Sequence, residues 1–298
     1  MITELERSSA ERIGDGGPRL YLVHNDPLEE LLFDRNLMGA EFRRACLRSS
    51  RCFIAHLADE LSPDETAELV ILSKGLTYQL AEAVSAETGR NLPTNLIATS
   101  RTAVAQGTAR IEVPYCCFEA PAETLLIGDT VASGETIITA LRRFLDVHPL
   151  RRVFVISYAG TLVGAMRIAE FCTGRGIEAT FLYGLAAFGL GDNGFDLSFL
   201  HPETVARARY AERAREQFSG RPVSAVGWDF GSQSMAPLKY RHLTWVESQI
   251  WDLSGADCLN VAEAPGDWSE LAHERAAFEH ALLTGGLGDA GSPPLTAR

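Results

Sequence analysis

Five short apolar runs alternate with stretches of helical periodicity between residues 69 and 183, and this alternation limits the possible folds more than any other feature of the chain. The runs lie near 69–72, 95–100, 124–128, 152–157 and 179–183, and helical spacing recurs near 76–88, 135–147 and 161–174. Strands separated by helices of this length pair in parallel, because a crossover must carry the chain back to the starting edge, and such crossovers are right-handed. The expectation is an α/β core over 66–183, a parallel sheet flanked by helices, with ligands collecting beyond the carboxyl ends of its strands. Residues 1–18 are polar and glycine-rich and are expected to be mobile. The segment 19–65 holds one further apolar run, Leu20-Tyr21-Leu22-Val23, and helical periodicity from Phe33 to Leu61. Beyond the core, 184–283 includes a charged helical stretch opened by His201-Pro202, a strand at Val223–Gly227 and a helix from Asp267 to Leu283. Residues 284–298 form a Gly/Pro-rich tail whose composition predicts disorder.

The chemistry concentrates in three connections. Leu125-Leu126-Ile127-Gly128 ends a buried strand, Asp129 follows, and Ala132-Ser133-Gly134-Glu135-Thr136 leads into apolar residues at helical spacing. A small-residue loop entering a helix points backbone N–H groups and hydroxyls at an anion, and the helix dipole adds partial positive charge. A carboxylate beside such a cradle suits a sugar phosphate, with hydroxyls for the acid and phosphate for the loop. Upstream, Leu69–Leu72 stops at Ser73-Lys74-Gly75, where a Lys-Gly loop can offer successive N–H groups to a second anion. Between them, Asn95–Ser100 and Ile111–Tyr115 read as strands joined by a segment bearing Arg101 and Arg110. A guanidinium fork grips phosphate oxygens in pairs. An exposed hairpin with two solvated arginines fits the same residues.

The stretch 124–136 resembles the binding motif for phosphoribosyl pyrophosphate (PRPP) in the type I phosphoribosyltransferases: an apolar strand, two adjacent acids, two apolar residues and a Thr/Ser-Gly loop. The second acid is Asp129, and Gly128 stands where that family has the first. The resemblance implies that Ala132, Ser133, Gly134, Glu135 and Thr136 hold the 5-phosphate and Asp129 the ribose hydroxyls. Ser73, Lys74, Gly75, Arg101 and Arg110 would take the pyrophosphate, with Arg101 and Arg110 on a loop that closes over the reacting centre. Asp129, Arg101 and Lys74 are then the catalytic residues. Mg²⁺ is the implied cofactor, bridging PRPP oxygens and touching Asp129 only indirectly. The implied reaction transfers the 5-phosphoribosyl group to a nitrogen nucleophile through an oxocarbenium-like transition state and releases pyrophosphate. In that family a variable hood outside the core chooses the acceptor, and 19–65 and 184–283 occupy its place. Trp228, Asp229 and Phe230 suit a pocket stacking a flat acceptor; they equally suit packing within the hood. Related enzymes often form homodimers. Gly128 also motivates a non-catalytic PRPP sensor on the same fold.

Composition restricts the alternatives. A net charge of −12 argues against broad nucleic-acid or anionic-membrane binding, where a basic patch is needed. The longest uncharged stretches, Val153–Met166 and Ala179–Gly191, fall short of the ~18 apolar residues of a membrane span. The first residues show no signal-peptide pattern, and the six cysteines have no C-x-x-C spacing, so a cytoplasmic protein with reduced thiols is expected. Gly189-Leu190-Gly191-Asp192-Asn193-Gly194 spells a dinucleotide fingerprint, but Phe195–Leu200 and His201-Pro202 follow it in place of the helix that fingerprint requires. His201 and His242 are read as structural.

Overall fold

The computed structural model describes residues 9–12, 18–34, 37, 39–104, 108–191 and 197–217. Its elements follow in the order β1 (Ser9–Arg12), β2 (Arg19–His24), α1 (Asp26–Phe33), α2 (Gly39–Leu57), β3 (Thr66–Leu72) and α3 (Leu80–Thr88). Then come β4 (Thr94–Val104), β5 (Thr108–Cys117), β6 (Thr124–Gly128), α4 (Glu135–Leu145), β7 (Arg152–Ser157), β8 (Gly160–Thr161) and α5 (Leu162–Thr173). The described chain closes with β9 (Glu178–Gly184), β10 (Ala186–Phe188), β11 (Val205–Ala206) and α6 (Ala208–Gln217).

All five residues of β6 are buried, and β3, β7 and β9 are buried along most of their length. Continuous burial replaces the usual polar–apolar alternation because central parallel strands are covered on both faces. The period of two survives in which face each residue serves. Leu126, Phe154 and Ile156 join the core formed with α1, α2, α3 and α6, while Leu125, Ile127, Val153 and Val155 join the core formed with α4 and α5. On α4, Ile137, Ile138, Ala140, Leu141 and Phe144 make the buried stripe.

The strands lie in the order β1-β2-β9-β7-β6-β3-β4-β5, parallel from β4 to β2 and antiparallel at both edges. The mostly parallel sheet flanked by helices is the α/β architecture that the alternation predicts. From β3 the chain moves through α3 to β4 on one side; from β6 it moves through α4 to β7 on the other. The direction of winding therefore reverses between β3 and β6, where crossover helices diverge to opposite faces and leave a crevice at the carboxyl ends.

Several elements differ from their sequence-based bounds. Residues 74–77 wind into a 3₁₀ turn, so α3 begins at Leu80 and not near 76. The strand expected at 95–100 continues to Val104 and pairs with β5 as a long antiparallel hairpin, with a register shift between Ala98 and Ser100. The Leu20 run enters the main sheet as β2, parallel to β9. After β7 and β9 the chain turns and continues as β8 and β10; β10 lies between β8, to which it is parallel, and β11, to which it is antiparallel, in a second, three-stranded sheet. The expected strand at 223–227, the helix at 267–283 and the tail at 284–298 lie outside the described residues.

Candidate functional site

The loops after β3 and β6 meet at the reversal of winding. Gly75, in the turn after β3, packs so closely that a Cβ there would sit 3.2 Å from Val70 Cγ1 and 3.4 Å from the Gly128 carbonyl oxygen. The Lys74–Thr77 turn is closed by Leu76 N–H donating to Ser73 O at 3.2 Å and Tyr78 N–H donating to Gly75 O at 3.1 Å. The Thr77 hydroxyl donates to Lys74 O at 2.8 Å. Ser73 is exposed and Lys74 half-buried at the mouth. The Leu72–Ser73 peptide is cis.

The loop after β6 is held down by the neighbouring chain after β7. Asp129 N–H donates to Ile156 O at 3.1 Å, and Val131 N–H is shared between Ala159 O at 3.2 Å and Ser157 Oγ at 3.3 Å. Thr161 N–H returns a bond to Val131 O at 2.8 Å. The Thr161 hydroxyl donates to Ala132 O at 2.5 Å and accepts from Gly164 N–H at 2.8 Å, so one side chain caps α5 and fastens the loop. Gly134 turns the chain into α4 with φ +80°, where a Cβ would press on the Gly164 carbonyl at 2.9 Å. No side chain caps α4. Its first-turn N–H groups have no acceptor within the helix and face outward with the positive end of the dipole. Ser133 and Thr136 stand half-buried beside them, and the exposed Glu135 reaches Arg142 at 3.5 Å.

Asp129 is 6% exposed, and its Oδ1 accepts Thr130 N–H at 2.8 Å. Gly128 precedes it against the ring of Tyr78: a Cβ at 128 would lie 2.5 Å from Tyr78 Cγ and 2.6 Å from its Cβ. Tyr78 is buried and stacks on Tyr158 with ring centroids 4.1 Å apart and planes 4° from parallel. Its phenol oxygen accepts Tyr158 N–H at 3.2 Å. Burial, followed by the charge of Asp129, raises the phenol pKa, so Tyr78 stays protonated. Thr130 Oγ1 and Tyr183 Oη are buried without hydrogen-bond partners, although the Thr130 hydroxyl lies near enough to weigh on the Tyr78 phenol.

Thus the structure brings Asp129, Ala132–Thr136 and Ser73–Gly75 together at one crevice. Arg101 and Arg110 lie on the β4–β5 hairpin, where Arg101 pairs with Ile111 and Thr102 with Arg110. The parallel register of β4 with β3 ends at Ala98, so both arginines sit on the part of the hairpin that extends past the carboxyl end of β3. Trp228, Asp229 and Phe230 lie outside the described residues. In the dinucleotide-like sequence, Gly189 N–H donates to Thr204 Oγ1 at 2.9 Å and the His201 ring fills the space beside it, while 192–194 lie outside the described residues. Tyr78, Ser157 and Thr161 escaped the sequence reading. The trace that Tyr78 left was Gly128 itself, a glycine where no turn requires one.

Among the described residues, no group of three or more His, Cys, Asp or Glu side chains is placed to hold a metal, and no helix is long and apolar enough to cross a membrane. Cys46, Cys52, Cys116, Cys117 and Cys172 form no disulfide among the described residues.

No protein-family model matches the chain, and no curated protein sequence does. Solved structures with similar folds include the AQ2163 protein of Aquifex aeolicus, at 15% identity over 59% of this chain and 91% of that one, with a TM-score of 0.47. A phosphoribosyltransferase from Corynebacterium diphtheriae matches at 23% identity over 57% of this chain and 98% of its own, with a TM-score of 0.33. The adenine phosphoribosyltransferase of Trypanosoma brucei, solved with AMP, pyrophosphate and ribose-5-phosphate, matches at 15% identity over 69% and 98%, with a TM-score of 0.40.

Proposed function

We propose that this chain binds PRPP in the crevice between β3 and β6 and transfers its 5-phosphoribosyl group to a nitrogen nucleophile, a nucleobase or base-like acceptor, releasing pyrophosphate. The observation that carries this reading is the meeting of two short loops, after β3 and after β6, beside the buried Asp129 at the reversal of winding. The uncapped start of α4 and Ala132–Thr136 take the 5-phosphate, which needs several N–H donors and a positive helix end. Asp129 takes the ribose hydroxyls, since an ionised carboxylate is an acceptor facing two donors. Ser73, Lys74 and Gly75 hold the pyrophosphate from one side, and Arg101 with Arg110 approach it on the hairpin. Catalysis on this reading rests on positioning and on charge stabilisation of the leaving group, without a covalent enzyme intermediate.

Asp129 would face Mg²⁺ only indirectly, through bound PRPP, since one carboxylate is too few donors for an all-protein cage. When bound, Mg²⁺ would neutralise charge on the pyrophosphate. The single carboxylate also favours a second reading, in which the same crevice binds PRPP as a sensor without turnover.

Titration calorimetry with PRPP and Mg²⁺, followed by pyrophosphate release across a panel of nucleobases and amines, tests both. Acceptor-dependent release supports the transferase; binding with no release across the panel supports the sensor. Asp129→Asn and Thr136→Ala should each weaken PRPP binding about tenfold or more, the cost of a charge-assisted or buried hydrogen bond. Undiminished affinity in both variants would sink the PRPP reading.

A further inference from the structure

We infer that Tyr78 is a positioning residue for Asp129, and that its ring commits this crevice to a single carboxylate. The inference rests on the proposed PRPP site and assigns it a residue outside the ligand contacts. Tyr78 enters from the loop after β3 and lies across Gly128 at the end of β6, so the ring fills the space that any side chain at residue 128 would need. A larger residue at either position displaces the other. The stack on Tyr158 also holds the ring, and both rings are buried.

The phenol then reaches the segment that fixes Asp129. Its oxygen accepts Tyr158 N–H at 3.2 Å. The neighbouring Ser157 hydroxyl donates to Ala159 O at 2.7 Å and accepts Val131 N–H at 3.3 Å. Asp129 N–H is tied to Ile156 O in that same stretch at 3.1 Å. One tyrosine thereby braces 156–159, and that stretch braces 129–131. Removing the phenol oxygen takes a hydrogen bond from the buried Tyr158 backbone, a loss relieved by shifting the 156–159 stretch to which Asp129 is tied. The stacked rings also leave no path for a second acid to approach the ribose from residue 128, so Asp129 must meet its ligand alone.

The test uses the whole chain. In native-state hydrogen exchange, Tyr78→Phe should speed exchange of the Asp129, Val131 and Tyr158 amides about tenfold relative to Val155 in the middle of β7, because the loosening is local. Gly128→Ala pushes directly on the same ring and should loosen the same amides, which keeps the measurement available if one variant folds poorly. Unchanged exchange at these amides in a folded variant overturns the inference. The second arm is a double-mutant cycle on PRPP–Mg²⁺ affinity. Tyr78→Phe should weaken binding roughly three- to tenfold in the parent and much less in an Asp129→Asn background, since it acts through Asp129. Additive losses would place Tyr78 elsewhere in the mechanism and overturn the inference. A parent chain that binds no PRPP defeats the proposed function, while the exchange arm still decides what Tyr78 does to Asp129.

Discussion

Glu68 stands in the middle of β3, 5% exposed, with its carboxyl accepting backbone N–H bonds from Leu80 and Ala81 at the start of α3. Burial, aided by the charge of Glu82, raises its pKa to about 7, and the two N–H donors only partly oppose that rise. A carboxyl whose folded pKa exceeds its unfolded value favours the folded state when protonated. Its stabilising contribution is complete below the ordinary carboxylate range and is lost as pH rises through about 7. Glu68→Gln keeps an acceptor for the helix start and removes the charge. It should therefore be more stable than the parent by roughly 1–3 kcal/mol at pH 8, with the advantage fading toward pH 5 in urea melts at the two values. An advantage that grew toward acid pH would show that the carboxyl is instead stabilised as an anion. At this scale the sequence was legible where local order sets the backbone, as where Asp129 follows the end of β6 and Gly134 turns the chain into α4. It was silent where a residue works by meeting another far along the chain. Tyr78 reads as one aromatic at the start of a helix, and nothing near it announces Gly128.

The connection from β6 to α4 is an element made by its neighbour. Thr161 caps α5, and the same hydroxyl fastens Ala132 O and so shapes the proposed phosphate loop. Thr161→Val removes both bonds at nearly constant volume. A cost of about 1–2 kcal/mol is expected from the lost cap and the unpaired carbonyl, together with weaker PRPP binding at temperatures where the chain is still folded. Calorimetric melting and titration on the same sample separate the two effects; a loss of stability alone would mean that the loop keeps its shape without the threonine. Strands β3, β6, β7 and β9 were legible because buried parallel strands are plain apolar runs. The outer parts of β4 and β5 were not, since Arg101-Thr102-Ala103-Val104 and Thr108-Ala109-Arg110 lack such a run and owe their extended form to each other. The early start assigned to α3 failed because Lys74–Thr77 is drawn into a tight turn by Gly75 packing against the Gly128 carbonyl.

Over the whole molecule, strand sequence predicts the class of the sheet but not which strands sit side by side at its far edge. β2 joins beside β9, and that choice brings α1 within reach of α6, more than a hundred residues later. Tyr210 anchors the contact: it is buried, stacks on His24, and its hydroxyl lies 3.1 Å from His24 Nδ1 and 3.2 Å from Glu29 Oε1. Arg209 and Arg213 bracket Glu29 at 2.7 and 3.1 Å, but these partly exposed pairs are screened by salt and weigh little beside the ring. Tyr210→Ala should cost about 3–5 kcal/mol in urea unfolding, and Glu29→Gln under about 1 kcal/mol at moderate salt. A reversal of that ranking would make the charges, and not the aromatic packing, the attachment of α6.

The fit of Tyr78 against Gly128 has a consequence for descent. An acid arriving at 128 first meets a ring 2.5 Å from its Cβ, while a small residue arriving at 78 first opens a buried void whose cost is about 3–5 kcal/mol. Each single step costs stability, so exchanging Gly128 for an acid calls for a paired change at Tyr78. A one-acid crevice of this kind, once formed, is held in place by its own packing whether or not selection still favours what it does.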